Sequence, residues 1–105
     1  MVRSVYKFNF DKHIPVDDIE DSLMLAALAA ESLHGRAAMK IEASFCLNKR
    51  HRTCVIDAET PIGGDIARIF TAFVTKGYGE ASFDVERTEE RMDVRCGRHE
   101  VGVGR

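Results

Sequence analysis

The sequence lacks any long apolar segment. Its longest uninterrupted apolar run, Leu23–Ala30, has eight residues, whereas a helix needs about 20 to cross a bilayer. No basic stretch followed by an apolar one opens the chain, so no signal peptide is expected. We therefore expect no association with a membrane.

An excess of charge of one sign is also missing. Fifteen Lys and Arg stand against 17 Asp and Glu, which gives a formal net charge of −2. A balance this even produces no strong field to attract nucleic acid or an anionic surface. Binding of nucleic acid is not expected on this ground.

Cysteine is scarce. Cys46, Cys54 and Cys96 are the only three, and no pair has the Cys-x-x-Cys spacing. An odd number at wide spacing does not predict a disulfide framework and fits a cytoplasmic location. Cys96 and His99 have a spacing found among zinc ligands, but zinc needs a second close pair. No metal or cofactor is expected.

The composition that is present is that of a globular protein. Hydrophobic residues make up 45% and charged residues 30% of 105 residues. This length corresponds to one domain, on a prior of roughly 100–200 residues per domain.

Four segments alternate apolar and polar residues, which is typical of strands with one covered face. The first is Val5–Phe10, with aromatic residues at every second position. The others are Met39–Leu47, Arg52–Ala58 and Ala81–Arg87. The second and third form a predicted hairpin in which Phe45 lies opposite Cys54, so that Cys46 and Cys54 point to opposite faces and do not bridge.

Two helices are predicted between these strands. Asp17 begins the first, with Glu20 three residues on as in a capping box, and the helix runs to about Leu33. Thr60 begins the second as the N-cap, followed by Pro61 at the first helical position. This helix is expected to end at Gly77.

The resulting order β-α-β-β-α-β resembles the ferredoxin-like arrangement, in which two helices cover one face of a four-stranded antiparallel sheet in the order 4-1-3-2. Residues 1–87 form the predicted domain. Residues 88–105 are predicted to be a flexible tail or a short edge strand. The architecture hosts many functions and does not select one.

The alternation also predicts which residues are buried. The open face of the sheet is expected to be solvated and polar, Asp57 included, and to lack the aromatic rings on which RNA-binding sheets of this fold stack bases. Seven residues are expected to be nearly fully buried: Phe8, Phe45, Ile56, Ile66, Phe70, Phe73 and Phe83.

The first helix has an apolar stripe on both faces. One face gathers residues that are expected to cover the sheet: Ile19, Leu23, Ala26, Ala27, Ala30 and Leu33. Met24, Leu25 and Leu28 fall on the opposite side. An exposed stripe of this kind is either tolerated surface, or covered by the tail, or a partner surface. We favour a two-fold homodimer, with these three residues in the interface.

Two further segments are candidate binding sites. Thr60, Gly63, Gly64 and Arg68 surround a helix N-terminus, where free N–H groups favour an anion or small ligand, although a plain helix cap explains them too. The basic turn Asn48–Arg52 could contact an acidic group or simply be solvated.

No arrangement of residues in the sequence indicates catalysis. The serines lack a nucleophile signature, and the loop after Phe10 lacks the glycine-rich anion loop of acylphosphatase, an enzyme of this fold and size. The sequence therefore predicts a small non-catalytic interaction domain that self-assembles through the outer face of the first helix. The alternative is a small-ligand or anion-binding module at the second helix, with an unknown ligand. A third hypothesis is an enzyme whose site forms only between subunits.

Overall fold

An antiparallel sheet of four strands and three α-helices make up residues 2–91, which are the residues that the computed structural model describes. In chain order they are β1 (Val2–Phe10), α1 (Val16–His34), α2 (Arg36–Glu42), β2 (Phe45–Asn48), β3 (Thr53–Asp57), α3 (Pro61–Tyr78) and β4 (Phe83–Arg91). A single 3₁₀ turn, Glu80–Ser82, joins α3 to β4.

The strands lie in the order β2-β3-β1-β4. This is the predicted 4-1-3-2 order read from the other edge, and every neighbouring pair is antiparallel. The α+β class and the four-stranded sheet are therefore confirmed. The exact β-α-β-β-α-β order is not matched, because α2 is an additional helix between α1 and β2.

The prediction of a strand over Met39–Leu47 is wrong for most of its length. Residues 36–42 are helical, and β2 begins only at Phe45. The segment contains Ala, Met, Lys and Glu, which all have high helix propensity. The alternation of Met39 and Ile41 was therefore a false strand signal, and Ile41 is an exposed residue of α2.

The two long helices begin differently. The N-cap of α1 is Pro15 and makes no side-chain cap bond, so the capping box predicted at Asp17 is absent. Thr60 caps α3 as predicted, with Pro61 at the first helical position. Both helices end at a glycine with positive φ, Gly35 at 93° and Gly79 at 92°. The helix α3 thus continues past Gly77 to Tyr78.

The core lies between the sheet and α1 and α3. Phe8, Phe45, Ile56, Ile66 and Phe70 are buried as predicted. Three other expectations are wrong: Phe73 and Leu33 are exposed, and Phe83 is only partly buried against the core. Phe83 and Val85 belong to β4, which is an edge strand. The buried Phe8 and Ile56 belong to the two inner strands, β1 and β3.

The last strand is longer than predicted. It continues to Arg91, which pairs with Val2, so residues 88–91 belong to the sheet. The rest of the predicted tail, residues 92–105, lies outside the described residues.

Candidate functional site

The outer face of α1 carries three exposed apolar side chains. Met24 is 38%, Leu25 54% and Leu28 63% exposed. The opposite face of the same helix is buried through Ile19, Leu23, Ala26, Ala27 and Ala30. The exposure of the predicted stripe is therefore confirmed, and its contact with a second subunit stays a prediction.

The helices α1 and α3 are joined side by side at both of their ends. The Tyr78 hydroxyl, near the end of α3, donates to the Asp18 carboxylate at the start of α1. At the other end, His34 Nε2 lies 2.7 Å from Asp65 Oδ2. Because the two pairings connect opposite termini, the helices run antiparallel.

This pairing puts Phe73 of α3 at the level of the stripe. Counting inward from both connections puts Leu25 at about the level of Phe73, and Phe73 is 39% exposed. We call Met24, Leu25, Leu28 and Phe73 the outer helical patch. Sequence reasoning missed Phe73 because a helical wheel shows a residue's direction but not how closely a neighbouring helix approaches.

The loop before α3 brings together the predicted ligand-binding residues, but two of them have structural roles. The Gly63 N–H donates to Thr60 Oγ1 at 3.1 Å, which is a helix cap. A Cβ atom on Gly63 would lie 1.9 Å from the carbonyl oxygen of Asp57. Gly63 therefore permits close packing of α3 on β3. Gly64 has open space beside it.

An open pocket of about 440 Å³ lies at this loop. Its charged groups are the carboxylates of Glu59 and Asp65 and the guanidinium of Arg68, whose Nη1 is 3.4 Å from Asp65 Oδ1. The lining residues are Ala58, Glu59, Thr60, Pro61, Gly64, Asp65 and Arg68. Two carboxylates beside one guanidinium make the pocket unfavourable for a simple anion.

Asp57, at the end of β3, is a buried carboxylate that the sequence analysis placed in water. It is 2% exposed, and Arg3 Nη2 lies 2.9 Å from its Oδ2. The Glu59 N–H donates to Asp57 Oδ1, and the Ser4 N–H donates to Glu59 Oε2. Hydrogen bonding to Asp57 raises the pKa of Arg3. The group connects β1 to the loop that precedes α3.

Two cations of the basic turn, Lys49 and Arg52, contact other groups of the same chain. Lys49 Nζ is 2.9 Å from Glu20 Oε1, and this hydrogen bond raises the pKa of Lys49. The Arg52 guanidinium donates to the carbonyl oxygens of Asp11, Lys12 and Ile14. These contacts hold α1 and the loop before it, so they favour a structural role for the turn.

The hairpin register differs from the predicted one by two residues. Cys46 lies opposite Val55, and Leu47 lies opposite Cys54. A shift of two preserves the faces, so Cys46 and Cys54 still point apart. Cys54 is free and buried. Cys46 is disulfide-bonded, whereas the sequence predicted no disulfide framework.

Searches within residues 2–91 find no helix long and apolar enough to cross a membrane, and no cluster of three or more potential metal ligands. Comparisons with protein-family models, curated proteins and solved structures find nothing that matches this chain.

Proposed function

We propose that this chain is a non-catalytic interaction domain that assembles with itself through the outer face of α1. The observation that supports this most directly is the exposure of Met24, Leu25 and Leu28 on α1. The opposite face of this helix is buried in the core. Removing apolar surface from water stabilises a complex by roughly 25 cal/mol per Å². A two-fold dimer is the simplest assembly, because it makes one patch cover itself.

The alternative is a ligand-binding module at the loop before α3. The pocket of about 440 Å³ is the observation in its favour. Against it, Thr60 is occupied as a helix cap and Gly63 is packed on Asp57. A ligand of this pocket would need a cationic group for Glu59 or Asp65, and an anionic group for Arg68.

Two finer statements accompany the proposal. We propose that the domain is a variant of the ferredoxin-like arrangement with one added helix. A cytoplasmic location stays a prediction, and the disulfide at Cys46 does not favour it.

The test is the mass in solution of the wild-type protein and of Leu28→Glu. Light scattering should give a dimer for the wild type and a folded monomer for the variant, because a carboxylate would be buried unpaired in the interface. Leu33→Glu is the matched control, since Leu33 is also an exposed leucine of α1 but lies on the other side of the helical wheel from Leu28.

A wild-type protein that stays monomeric at high concentration would overturn the proposal. A melting-temperature screen of small metabolites separates the two functions, because a ligand that binds only the folded state raises the melting temperature. A zwitterionic metabolite that stabilises the wild type but not Arg68→Ala would favour the pocket.

A further inference from the structure

We propose that the outer edge of β4 binds an extended segment of another protein, in which lysine or arginine alternates with apolar residues. The segment adds to the sheet as a fifth strand beside β4. This inference does not depend on the proposed self-assembly, because it concerns a sheet edge and not the outer face of α1. It is drawn from the backbone groups and the charges of β4.

The strand β4 forms a long edge of the sheet. It has nine residues, and β1 is its only neighbour among the strands of residues 2–91, whereas β2 at the opposite edge has four residues. In an antiparallel pair, residues that exchange backbone hydrogen bonds with the neighbouring strand alternate with residues that point away from it. The Phe10 N–H donates to the Arg52 carbonyl oxygen at 3.0 Å, and the Asp11 N–H donates to the Ser82 carbonyl oxygen at 2.8 Å. Even-numbered residues of β1 therefore bond towards β3, and odd-numbered residues bond towards β4.

This alternation determines which backbone groups of β4 reach the outer edge. The β4 residues that bond to β1 lie opposite its odd-numbered residues: Asp84, Glu86, Thr88 and Glu90. Val85, Arg87 and Glu89 alternate with them, so their N–H and C=O groups point away from β1. An extended peptide pairs with such a row of donors and acceptors as an added strand.

On the helix side of the sheet, this edge is partly apolar. Val85 is paired with the buried Phe8, so it shares the face that the helices cover, and it is 45% exposed. The Arg87 guanidinium lies over the Tyr6 ring, 5.6 Å from its centroid, and Arg87 Nε donates to Ser4 Oγ. Arg87 therefore leans towards β1 and away from the outer edge. An apolar side chain of the added strand can cover the exposed part of Val85.

On the other face of the sheet, the side chains of β4 are acidic. Asp84, Glu86 and Glu90 lie on this face, because they alternate with Val85 along the strand. Lys7 Nζ lies 3.0 Å from Glu90 Oε2. Asp84 and Glu86 are exposed. Opposite charges on directly paired residues stabilise a sheet, so this row favours cationic side chains at every second position of the added strand.

The same charges disfavour a second copy of β4 as the added strand. Two fully overlapping antiparallel β4 strands would have their two-fold axis at Arg87. This axis sets Arg87 opposite Arg87 and Asp84 opposite Glu90, and like charges in direct opposition destabilise pairing. The partner is therefore a strand of different sequence.

The test measures binding of labelled synthetic octapeptides to the full chain by fluorescence anisotropy. A peptide that alternates lysine with valine should bind on the order of tenfold more tightly than one that alternates glutamate with valine. Glu86→Lys should weaken binding of the lysine peptide and strengthen binding of the glutamate peptide. Glu42→Lys is the control, since it makes the same change in net charge on α2 and should leave both affinities unchanged.

A second variant tests the backbone contact. Val85→Pro removes an N–H that points outward, which an edge strand tolerates, and should weaken the lysine peptide on the order of tenfold. Val85→Ala keeps that N–H and should cause a smaller loss. Thermal melts confirm that each variant is folded, and if Val85→Pro does not fold, the exchange of preference by Glu86→Lys decides.

Three results would overturn the proposal. One is that neither peptide binds. Another is that Glu42→Lys changes the two affinities as much as Glu86→Lys does, which would mean that only net charge attracts the peptide. The third is a wild-type assembly that Val85→Pro dissociates, which would mean that a second copy occupies the β4 edge.

Discussion

Phe70 of α3 packs on aromatic rings of β1 in the centre of the core. It is fully buried, and its ring contacts Phe8 and Phe10 edge-on, with centroid distances of 5.0 and 5.8 Å. Phe70→Ala should lower the free energy of unfolding by roughly 3–5 kcal/mol, through lost burial and the cavity left behind. Urea denaturation measures this loss.

Phe73→Ala is the control for that experiment, because it removes the same ring from the same helix at a position that is only partly covered. We expect a clearly smaller loss. Equal losses for the two variants would mean that the burial difference between Phe70 and Phe73 is wrong.

Individual burial could be predicted from the sequence where a side chain points directly at the core. Phe8, Ile56 and Phe70 do so, and periodicity alone gives their direction. Phe73 and Leu33 could not be predicted, because both lie at the flank or end of a helix, where burial depends on how closely the next element packs. Asp57 was missed because its partner Arg3 is 54 residues away.

At the scale of elements, the approach of α3 to β3 depends on Gly63. A methyl group there would lie 1.9 Å from the Asp57 carbonyl oxygen, which belongs to the rigid backbone. Gly63→Ala should therefore push α3 away and cost roughly 1–3 kcal/mol, the usual range for overpacking. The free energy of unfolding of the variant measures it.

The neighbouring glycine provides a matched control. A Cβ on Gly64 meets nothing within 4 Å, so Gly64→Ala should be neutral or should stabilise the helix by roughly 0.5–1 kcal/mol. If Gly63→Ala behaved in the same way, the close approach of α3 to β3 would be wrong.

The elements themselves were predicted unevenly. Thr60-Pro61 located the start of α3 because the cap and the proline act within four residues. The helix α2 was missed because seven residues carry too few apolar positions to separate a helical period from alternation. The sequence predicted a ligand-binding role for Gly63 and not its packing role. A sequence shows that a glycine has no side chain, but it does not show which atom lies close to that glycine.

For the whole molecule, stability should fall at alkaline pH partly through Cys54. Burial raises the pKa of this thiol above its ordinary value of 9.0. The folded thiol stays protonated while the unfolded one ionises, so the stabilising contribution is complete below pH 9 and is lost as pH rises above it. Ionisation favours the unfolded state by about 1.4 kcal/mol at pH 10.

The measurement is the difference in unfolding free energy between wild type and Cys54→Ala at pH 7 and pH 10. Lys7, Lys49 and Tyr78 also have raised pKa values and titrate in both proteins, so they cancel in the difference. The advantage of wild type should shrink by about 1.4 kcal/mol. A difference that is the same at both pH values would contradict burial of this thiol.

The sheet order was the most predictable property of the whole molecule. Strand and helix order restrict the topology strongly, because connections are short and do not cross. The register was less predictable. The β2–β3 hairpin is shifted by two residues from the predicted pairing, and alternation cannot detect such a shift because it leaves every side chain on the same face.

The central position of β1 has a consequence for synthesis. The ribosome makes this strand before β3 and β4, its two neighbours, and Val2 finally pairs with Arg91. A nascent chain that ends before β4 therefore exposes one edge of a strand rich in aromatic residues, which is a template for pairing with other chains. The domain must complete its sheet after nearly all of residues 2–91 have left the exit tunnel, and interrupted translation products should be the aggregation-prone species.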